Sequence, residues 1–255
     1  MKKFLIDGRP TVTVMVQSRT LKRAAELIEK GLSGGADAFG IQIEQMDKKF
    51  RTEENFKMLF ETTGGKPAYI TNYRTALNTG MTDSELAQDI INSARYGGTL
   101  IDVMGDLFCP SKDEITLDAS ADKKQRELIE KIHSYGSQVL ISSHTYRFLN
   151  TDEVLKIAEI QANRGADVIK IVTAAETPEQ LYENFEITAR LKRELDKPFL
   201  FLCVGEYCKK HRITAPLICD GPFLCVAEYD ELATPVQPLL SKVRETVDTV
   251  YKNIR

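Results

Sequence analysis

The sequence predicts an α/β protein, specifically a single-domain (β/α)8 TIM barrel spanning residues 1–255, and three observations support this prediction. Short β-branched or apolar segments alternate with amphipathic segments of helical period. Eight such units follow one another in one uninterrupted series. No Gly-rich phosphate fingerprint follows the first strand, where an open doubly wound sheet would be expected to carry one. A closed barrel is therefore favoured over an open sheet.

Each predicted unit is a strand followed by a helix, and Thr or Asp at several helix starts is suited to cap the first free N–H groups. The predicted strands are Thr11–Val16, Ala38–Ile43, Pro67–Asn72, Leu100–Val103, Gln138–Ser143, Asp167–Thr173, Pro198–Val204 and Phe223–Ala227. The predicted helices begin near Thr20, Glu53, Asp83, Asp122, Thr151, Thr177, Lys209 and Val236. No linker divides the series, and the long connection Asp106–Asp122 is expected to shape a site.

Charge and hydropathy exclude several classes of partner. The 255 residues carry a net charge of -3, whereas binding to a nucleic acid or an anionic membrane needs a concentrated basic surface. No segment approaches the roughly 18 apolar residues of a membrane span, and the apolar stretch within Met1–Pro10 is too short for a secretory signal. The five cysteines are therefore expected to be reduced thiols in a cytoplasmic protein.

Lys170 lies in the middle of the apolar strand Asp167–Thr173. Both faces of a barrel strand are covered, so an ammonium group there would lose much of its hydration, which favours the neutral amine. A neutral amine is a nucleophile that condenses with a ketone or aldehyde to give an iminium. The alternative is a structural lysine that reaches the barrel mouth or pairs with a carboxylate.

His144 ends the fifth strand, one unit before Lys170. Catalytic groups of barrel enzymes lie at the carboxyl ends of the strands, and neighbouring strands are about 5 Å apart, so the two side chains are expected to meet over one substrate. An imidazole moves protons near neutral pH, which predicts a catalytic role. The alternative is a polar histidine bonded to Ser142 or Ser143.

Three further side chains are predicted to bind substrate. Arg74 follows the third strand and Arg212 the seventh, and the planar fork of an arginine matches a carboxylate. Gln237, after the eighth strand, is suited to donate to hydroxyl or carboxylate oxygens. The alternatives are solvated surface arginines and a glutamine that only caps the last helix. Cys208-Lys-Lys-His211 permits a zinc interpretation, but it lacks the paired, regularly spaced ligands of structural sites, so no metal site is predicted.

These residues lie in segments that resemble the type I 3-dehydroquinate dehydratases, and the resemblance extends from Thr11 to the last helix. Thr71–Arg74 is similar to the arginine motif of that family, Ile141–His144 to its catalytic histidine motif and Ala166–Lys170 to its Schiff-base lysine motif. Arg212 and the segment Pro235–Gln237 resemble its substrate-carboxylate arginine and its closing loop.

The resemblance implies a reaction. Lys170 would condense with the C3 ketone of 3-dehydroquinate, and His144 would remove a C2 proton and protonate the departing C1 hydroxyl, giving 3-dehydroshikimate by syn elimination. Because the iminium stabilises the developing carbanion, no metal or organic cofactor is implied. The resemblance also implies a place in the shikimate pathway of aromatic amino acid biosynthesis, and a homodimer that takes a small carbonyl and carboxylate substrate.

Several positions differ from the family pattern. Asn78 is expected in the substrate site, where the family has a glutamate that orients and charges the histidine, so His144 is expected to be a weaker base. Gln42 is expected in the substrate site in place of an arginine. The other replacements, where the family has acidic, glycine or serine residues, are Gly40, Met104, Cys208 and Ala233.

The loss of these polar groups keeps two alternatives open. One is a diverged paralogue that acts on a different keto compound by dehydration or retro-aldol cleavage. The other is a non-catalytic barrel that binds a small metabolite.

Overall fold

The computed structural model describes residues 3–252 of the chain. The strands are β1 (Thr11–Val16), β2 (Ala38–Gln42), β3 (Ala68–Thr71), β4 (Leu100–Met104), β5 (Gln138–His144), β6 (Val168–Ala174), β7 (Phe199–Val204) and β8 (Pro222–Cys225). The α-helices are α1 (Leu21–Ser33), α2 (Glu53–Thr62), α3 (Asp83–Tyr96), α4 (Ala119–Ser134), α5 (Thr151–Arg164), α6 (Pro178–Glu194), α7 (Cys208–Cys219) and α8 (Leu240–Lys252). The first two residues, which belong to the segment considered for a secretory signal, and the last three residues of the predicted domain lie outside the described part.

The strands form one parallel sheet that curls into a nearly closed barrel. Each strand pairs with its neighbour in sequence from β1 to β7, and β8 pairs with β1. No ladder joins β7 to β8 among residues 3–252, but the two strands meet at their beginnings. A Cβ atom on Gly221 would lie 2.6 Å from the carbonyl oxygen of Phe199, so only glycine permits this approach. The predicted (β/α)8 TIM barrel is confirmed.

Two predicted helix starts differ from the structure. Helix α4 begins at Ala119 rather than near Asp122, because the side chain of Asp118 accepts the N–H of Ala121 and caps the helix earlier. Helix α8 begins at Leu240 rather than near Val236, because Pro238 lacks an N–H and because Leu240 donates its own N–H to the carbonyl of Val226.

The core has two layers, which the alternation of strand side chains separates. Ile169 and Ile171 of β6 point outward and belong to the large cluster between the strands and the helices. Val168 and Val172 belong to a smaller cluster inside the barrel, which Phe4 closes from below. Lys170 shares the parity of these two valines, so its side chain points into the barrel.

Within residues 3–252, no helix is long and apolar enough to cross a membrane, and no three His, Cys, Asp or Glu side chains are grouped to hold a metal ion. The five cysteines are free thiols. His211, which the zinc interpretation used, lies with its Nε2 atom 3.0 Å from Oγ1 of Thr188, and burial lowers its pKa to about 4.

Candidate active site

Lys170 is the centre of the candidate site, and its amine lies deep inside the barrel. The residue is 4% exposed, and Nζ donates to the hydroxyls of Tyr73 at 2.5 Å and Tyr69 at 3.1 Å. The carboxylate of Asp102 lies 3.3 Å from Nζ. The pairing with a carboxylate, considered as the alternative, is therefore present. Nζ is thus in contact with three groups through which a proton can move.

Asp102 and two tyrosines form a buried network around this amine. Oδ2 of Asp102 accepts hydrogen bonds from Tyr69 and, at 2.5 Å, from Tyr73, and Oδ1 accepts from Oγ of Ser142 at 2.5 Å. Burial, together with the adjacent carboxylate of Asp102, raises the pKa of both phenols well above the usual value. Both tyrosines are therefore neutral hydrogen-bond donors.

His144 lies above Lys170 on the neighbouring strand. Ser142 is the direct neighbour of Lys170 in the β5–β6 register, and His144 follows two residues nearer the carboxyl end. The imidazole packs edge-on against Tyr73 with ring centroids 4.9 Å apart, so Tyr73 touches both groups. Nδ1 of His144 lies 2.7 Å from the carboxylate of Glu114, and no hydrogen bond within the described residues joins the imidazole to the serines that the alternative named.

A cavity of about 270 Å³ opens at the carboxyl ends of the strands above Lys170. A larger cavity of about 540 Å³ lies at the opposite end of the barrel, where neither Lys170 nor His144 is present. The residues that line the smaller cavity include Lys170, His144, Tyr73, Glu114, Arg212, Gln42, Gln237, Thr71, Met15, Val172, Leu202 and Leu224. The chemistry therefore belongs to the smaller cavity.

Arg212 and two glutamines are the polar residues placed to hold a ligand. Nε of Arg212 donates to the carbonyl of Cys203 at 2.8 Å, which fixes the guanidinium at the cavity. The Oε1 atoms of Gln42 and Gln237 are buried and have no hydrogen-bond partner within residues 3–252. A buried acceptor without a partner is costly, so both oxygens are suited to a ligand that carries hydroxyl or N–H donors.

Two predicted substrate residues do not reach the cavity. Arg74 is held by Asp83 at 2.7 and 2.9 Å and by Asp106 at 2.6 Å. The physical reason is parity, because Tyr69, Thr71 and Tyr73 face the interior and the next residue points away. Arg74 is thus held by two carboxylates beside the cavity, and its role in substrate binding stays a prediction.

Asn78 is 1% exposed, and its amide is fully used within the protein. Its Oδ1 accepts from Arg51 at 2.7 Å, and its Nδ2 donates to Asn72 at 2.7 Å and to the carbonyl of Tyr73 at 2.8 Å. Asn78 therefore supports the backbone of Tyr73 and does not line the cavity. Glu114, from a different loop, places a carboxylate beside His144, where Asn78 offers only an amide.

The wall on the β2 side is apolar where the family pattern has charge. A Cβ atom on Gly40 would lie 2.3 Å from Sδ of Met15, so this thioether fills the space of a larger side chain. Behind Gln42, Glu44 is 1% exposed and accepts from Oγ1 of Thr71 at 3.0 Å. Burial raises the pKa of Glu44 to about 7. The cavity is thus apolar beside Gly40 and Met15, and its charged side chains, Lys170, Glu114 and Arg212, come from other parts of the barrel.

The sequence held signals for some of the residues that were missed. Asp102 interrupts the apolar strand β4 as Lys170 interrupts β6, and a buried charge in one strand predicts a partner of opposite charge in another. Tyr73 follows Thr71 at strand spacing. Glu114 gives no such signal, because it lies in a long loop whose path only the tertiary structure defines.

The fold and this cavity define a class of protein: a (β/α)8 TIM barrel whose cavity, at the carboxyl ends of the strands, is sized for a small molecule. The family model described as type I 3-dehydroquinase matches residues 12–254. The chain belongs to this family.

Relatives named 3-dehydroquinate dehydratase match the chain, and a solved structure of that name shares its fold. The 3-dehydroquinate dehydratase of Alkaliphilus oremlandii is 26% identical over 257 residues, which cover 97% of this chain and 94% of that protein. That of Pyrococcus abyssi is 33% identical over 123 residues, 48% of this chain and 54% of the relative. The type I enzyme of Clostridium difficile, solved with covalently modified comenic acid, superimposes with a TM-score of 0.81 at 16% identity, covering 97% of this chain and 95% of that one. At 16% identity, the solved structure shows a shared fold only.

Proposed function

We propose that the protein is a Schiff-base lyase that converts 3-dehydroquinate into 3-dehydroshikimate and water by syn elimination. The observation that carries the proposal is the position of Lys170 and His144 on adjacent strands at one cavity, with Tyr73 in contact with both. The site chemistry is that of covalent catalysis combined with proton transfer, and it involves only side chains of this chain.

The first step is the condensation of the amine with the ketone. The ammonium of Lys170 passes a proton to the hydroxyl of Tyr73, which passes its own proton to the carboxylate of Asp102, along contacts of 2.5 Å each. The neutral amine attacks the carbonyl carbon and forms a carbinolamine. The returning proton converts the carbinolamine hydroxyl into water, which leaves, and the iminium remains.

The second step is the elimination. His144 takes the proton from the carbon next to the iminium carbon, and the electrons of that C–H bond move toward the iminium nitrogen and form an enamine. The enamine expels the β-hydroxyl group as the imidazolium returns its proton, so a second water leaves. Hydrolysis of the conjugated iminium consumes one water and releases the product and the amine.

Substrate binding is assigned to Arg212, Gln237 and Gln42. Arg212 is suited to the carboxylate of the substrate, because an arginine fork binds a carboxylate with two parallel hydrogen bonds. The unpaired Oε1 atoms of Gln42 and Gln237 are suited to ring hydroxyls, which would satisfy both acceptors.

The apolar β2 wall favours a second candidate, a diverged lyase for a less hydroxylated keto acid. Met15 fills the space at Gly40, so a bulky polar ring has fewer partners on this side. Such an enzyme would form the same iminium and then dehydrate or cleave its substrate by a retro-aldol step. The place in the shikimate pathway, the homodimer and the cytoplasmic location belong to the first candidate and remain predictions.

Borohydride trapping followed by mass spectrometry tests the proposal. Wild-type protein mixed with 3-dehydroquinate and reduced should gain one adduct on Lys170, and absorbance of the conjugated product should rise. Lys170→Ala is the control and should show neither signal. Adducts with other keto acids but not with 3-dehydroquinate would select the second candidate. Ligand binding that saturates equally in Lys170→Ala, without turnover by wild type, would refute both and indicate a metabolite-binding barrel.

A further inference from the structure

The loop between β4 and α4 delivers a carboxylate to His144. Oε2 of Glu114 lies 2.7 Å from Nδ1 of His144 and accepts the backbone N–H of the same residue at 2.8 Å. Glu114 also lines the cavity. One carboxylate oxygen therefore contacts the imidazole and the strand end that carries it.

The backbone around Glu114 is shaped to hold this position. Glu114 has φ of 47°, a left-handed conformation that side chains other than glycine adopt at a cost. Its carbonyl accepts from Oγ of Ser143 at 2.9 Å. A Cβ atom on Gly105 would lie 2.6 Å from the same carbonyl, so only glycine leaves room for it. Gly105 and Ser143 thus agree with the backbone conformation of Glu114 on one location for this residue.

The adjacent residue fastens the loop to the element that follows β5. Asp113 receives two hydrogen bonds from the guanidinium of Arg147, at 3.0 and 2.8 Å, and Arg147 also pairs with Glu153 of α5 at 2.9 Å. A bidentate pair of this kind fixes orientation as well as distance. The loop that carries Glu114 is therefore held in a fixed position relative to the end of β5.

The shared oxygen determines the tautomer of His144. A carboxylate oxygen carries no hydrogen, so it accepts both the backbone N–H and the contact with the imidazole, and the hydrogen of that contact comes from Nδ1. The lone pair of the neutral ring is then on Nε2. A base that uses Nε2 has its other nitrogen held by a carboxylate, which also stabilises the imidazolium once the proton has been taken.

We propose that Glu114 is the positioning residue of His144, selecting its Nδ1–H tautomer and stabilising its imidazolium. The catalytic part of this inference rests on the proposed lyase function, but the tautomer does not. Glu114 acts through His144 and would take no part in bond making at Lys170. Imine formation and proton abstraction should therefore respond differently to its removal.

The first experiment needs no substrate. The chain has three histidines, so two-bond 15N–1H spectra of histidine-labelled protein resolve each ring. Wild-type His144 should show a protonated Nδ1, and Glu114→Gln should show a changed tautomer ratio, while Glu127→Gln, which removes an exposed carboxylate on α4, should not. An unchanged His144 spectrum in Glu114→Gln would overturn the proposal whether or not the protein is a lyase.

The second experiment separates the two steps of the reaction. In Glu114→Gln, kcat should fall about 100-fold, a typical contribution of a general base, while KM and borohydride trapping on Lys170 stay close to wild type. Glu114→Asp keeps a carboxylate and should recover part of kcat. Equal loss in Asp and Gln variants, or parallel loss of trapping and turnover, would reduce Glu114 to a structural role. If wild type neither forms a trapped adduct with any keto acid nor turns one over, the lyase function is refuted. The histidine spectra then still test whether Glu114 selects the tautomer of His144.

Discussion

At the scale of single residues, two tyrosines share the same partners but differ in access. Both phenols bind Asp102 and Lys170, yet Tyr73 lines the cavity whereas Tyr69 is 1% exposed and lies among the apolar residues below it. A substrate carbonyl arriving at Nζ therefore meets the hydroxyl of Tyr73. The phenol that relays protons in the condensation should be Tyr73 and not Tyr69.

Replacing each tyrosine by phenylalanine tests this distinction. We expect Tyr73→Phe to slow borohydride-trapped imine formation about 100-fold, because general acid–base groups typically contribute at least this much. Tyr69→Phe is the matched control, since it also removes one hydrogen bond to Asp102, and it should slow trapping far less. Equal rates for the two variants would contradict the relay through Tyr73.

Glu44 gives the protein a pH-dependent stability. Its pKa is about 7 in the folded protein because of burial, against 4.5 for a free glutamate. Below the lower value both states are protonated. As pH rises between the two values the unfolded chain loses its proton first, so the free energy of unfolding falls by about 3 kcal/mol and the loss is complete above the folded pKa.

Glu44→Gln should remove this dependence, because the amide still accepts from Thr71 and carries no charge. Urea unfolding of both proteins at about pH 4 and about pH 8 measures it. The stability of wild type relative to the variant should fall by about 3 kcal/mol over this range. His211 acts in the opposite direction in both proteins and cancels in the difference. If the free energies of unfolding of wild type and Glu44→Gln changed by the same amount over this pH range, Glu44 would be solvated.

At the scale of elements, the loop after β4 is held by the end of α5. Arg164 is 3% exposed and donates to the carbonyls of Gly105 and Thr116 at 2.7 Å each, and it pairs with Asp122 at 2.8 Å. The loop that carries Glu114 lies between those two carbonyls. Arg164 of α5 thus holds the loop between β4 and α4 and, with it, the carboxylate of Glu114.

Arg164→Met should destabilise the protein by about 3 kcal/mol, because it leaves buried acceptors without their charged donor. Arg126→Met is the control, since Arg126 also pairs with Asp122 but its side chain is 47% exposed, and its loss should cost less than about 1 kcal/mol. Chemical denaturation measures both changes. A cost for Arg164→Met as small as the control would show that water replaces its contacts.

The strands and helices could be predicted from the sequence. The positions of side chains that depend on strand parity or on the path of a loop could not. The strand containing Lys170 and the strand ending at His144 were found because apolar runs define barrel strands. The sequence did not show that Arg74, one residue beyond Tyr73, points away from the cavity toward Asp106. Glu114 was missed because its position depends on Gly105, Ser143 and a left-handed backbone, none of which a local pattern shows.

At the scale of the whole molecule, the first and last strands are neighbours. β8 pairs with β1, and the N–H of Phe4 reaches Oε1 of Gln138 at 3.0 Å, so the N-terminal segment closes the barrel beneath β5. The interior cluster and the outer cluster both draw residues from strands along the whole sheet. No cut through the sequence separates two independent cores, so a single domain is expected.

This organisation predicts one cooperative unfolding transition. Calorimetry should give a calorimetric enthalpy equal to the van't Hoff enthalpy, about 0.7 kcal/mol per residue near 60 °C. Far-ultraviolet circular dichroism and tyrosine absorbance should show coincident midpoints. Two separate transitions would contradict the single domain, and sedimentation at several concentrations would decide whether the unit that unfolds is the predicted homodimer.

The sequence by itself determined the order of the elements, the barrel they form and the two strands that carry the amine and the imidazole, because these follow from hydrophobic period and chain direction. Only the tertiary structure decided which groups surround the two residues. Tyr73, Asp102 and Glu114 meet Lys170 and His144 from separate segments of the chain. Distances between such segments depend on how strands and loops pack, and no local pattern contains that information.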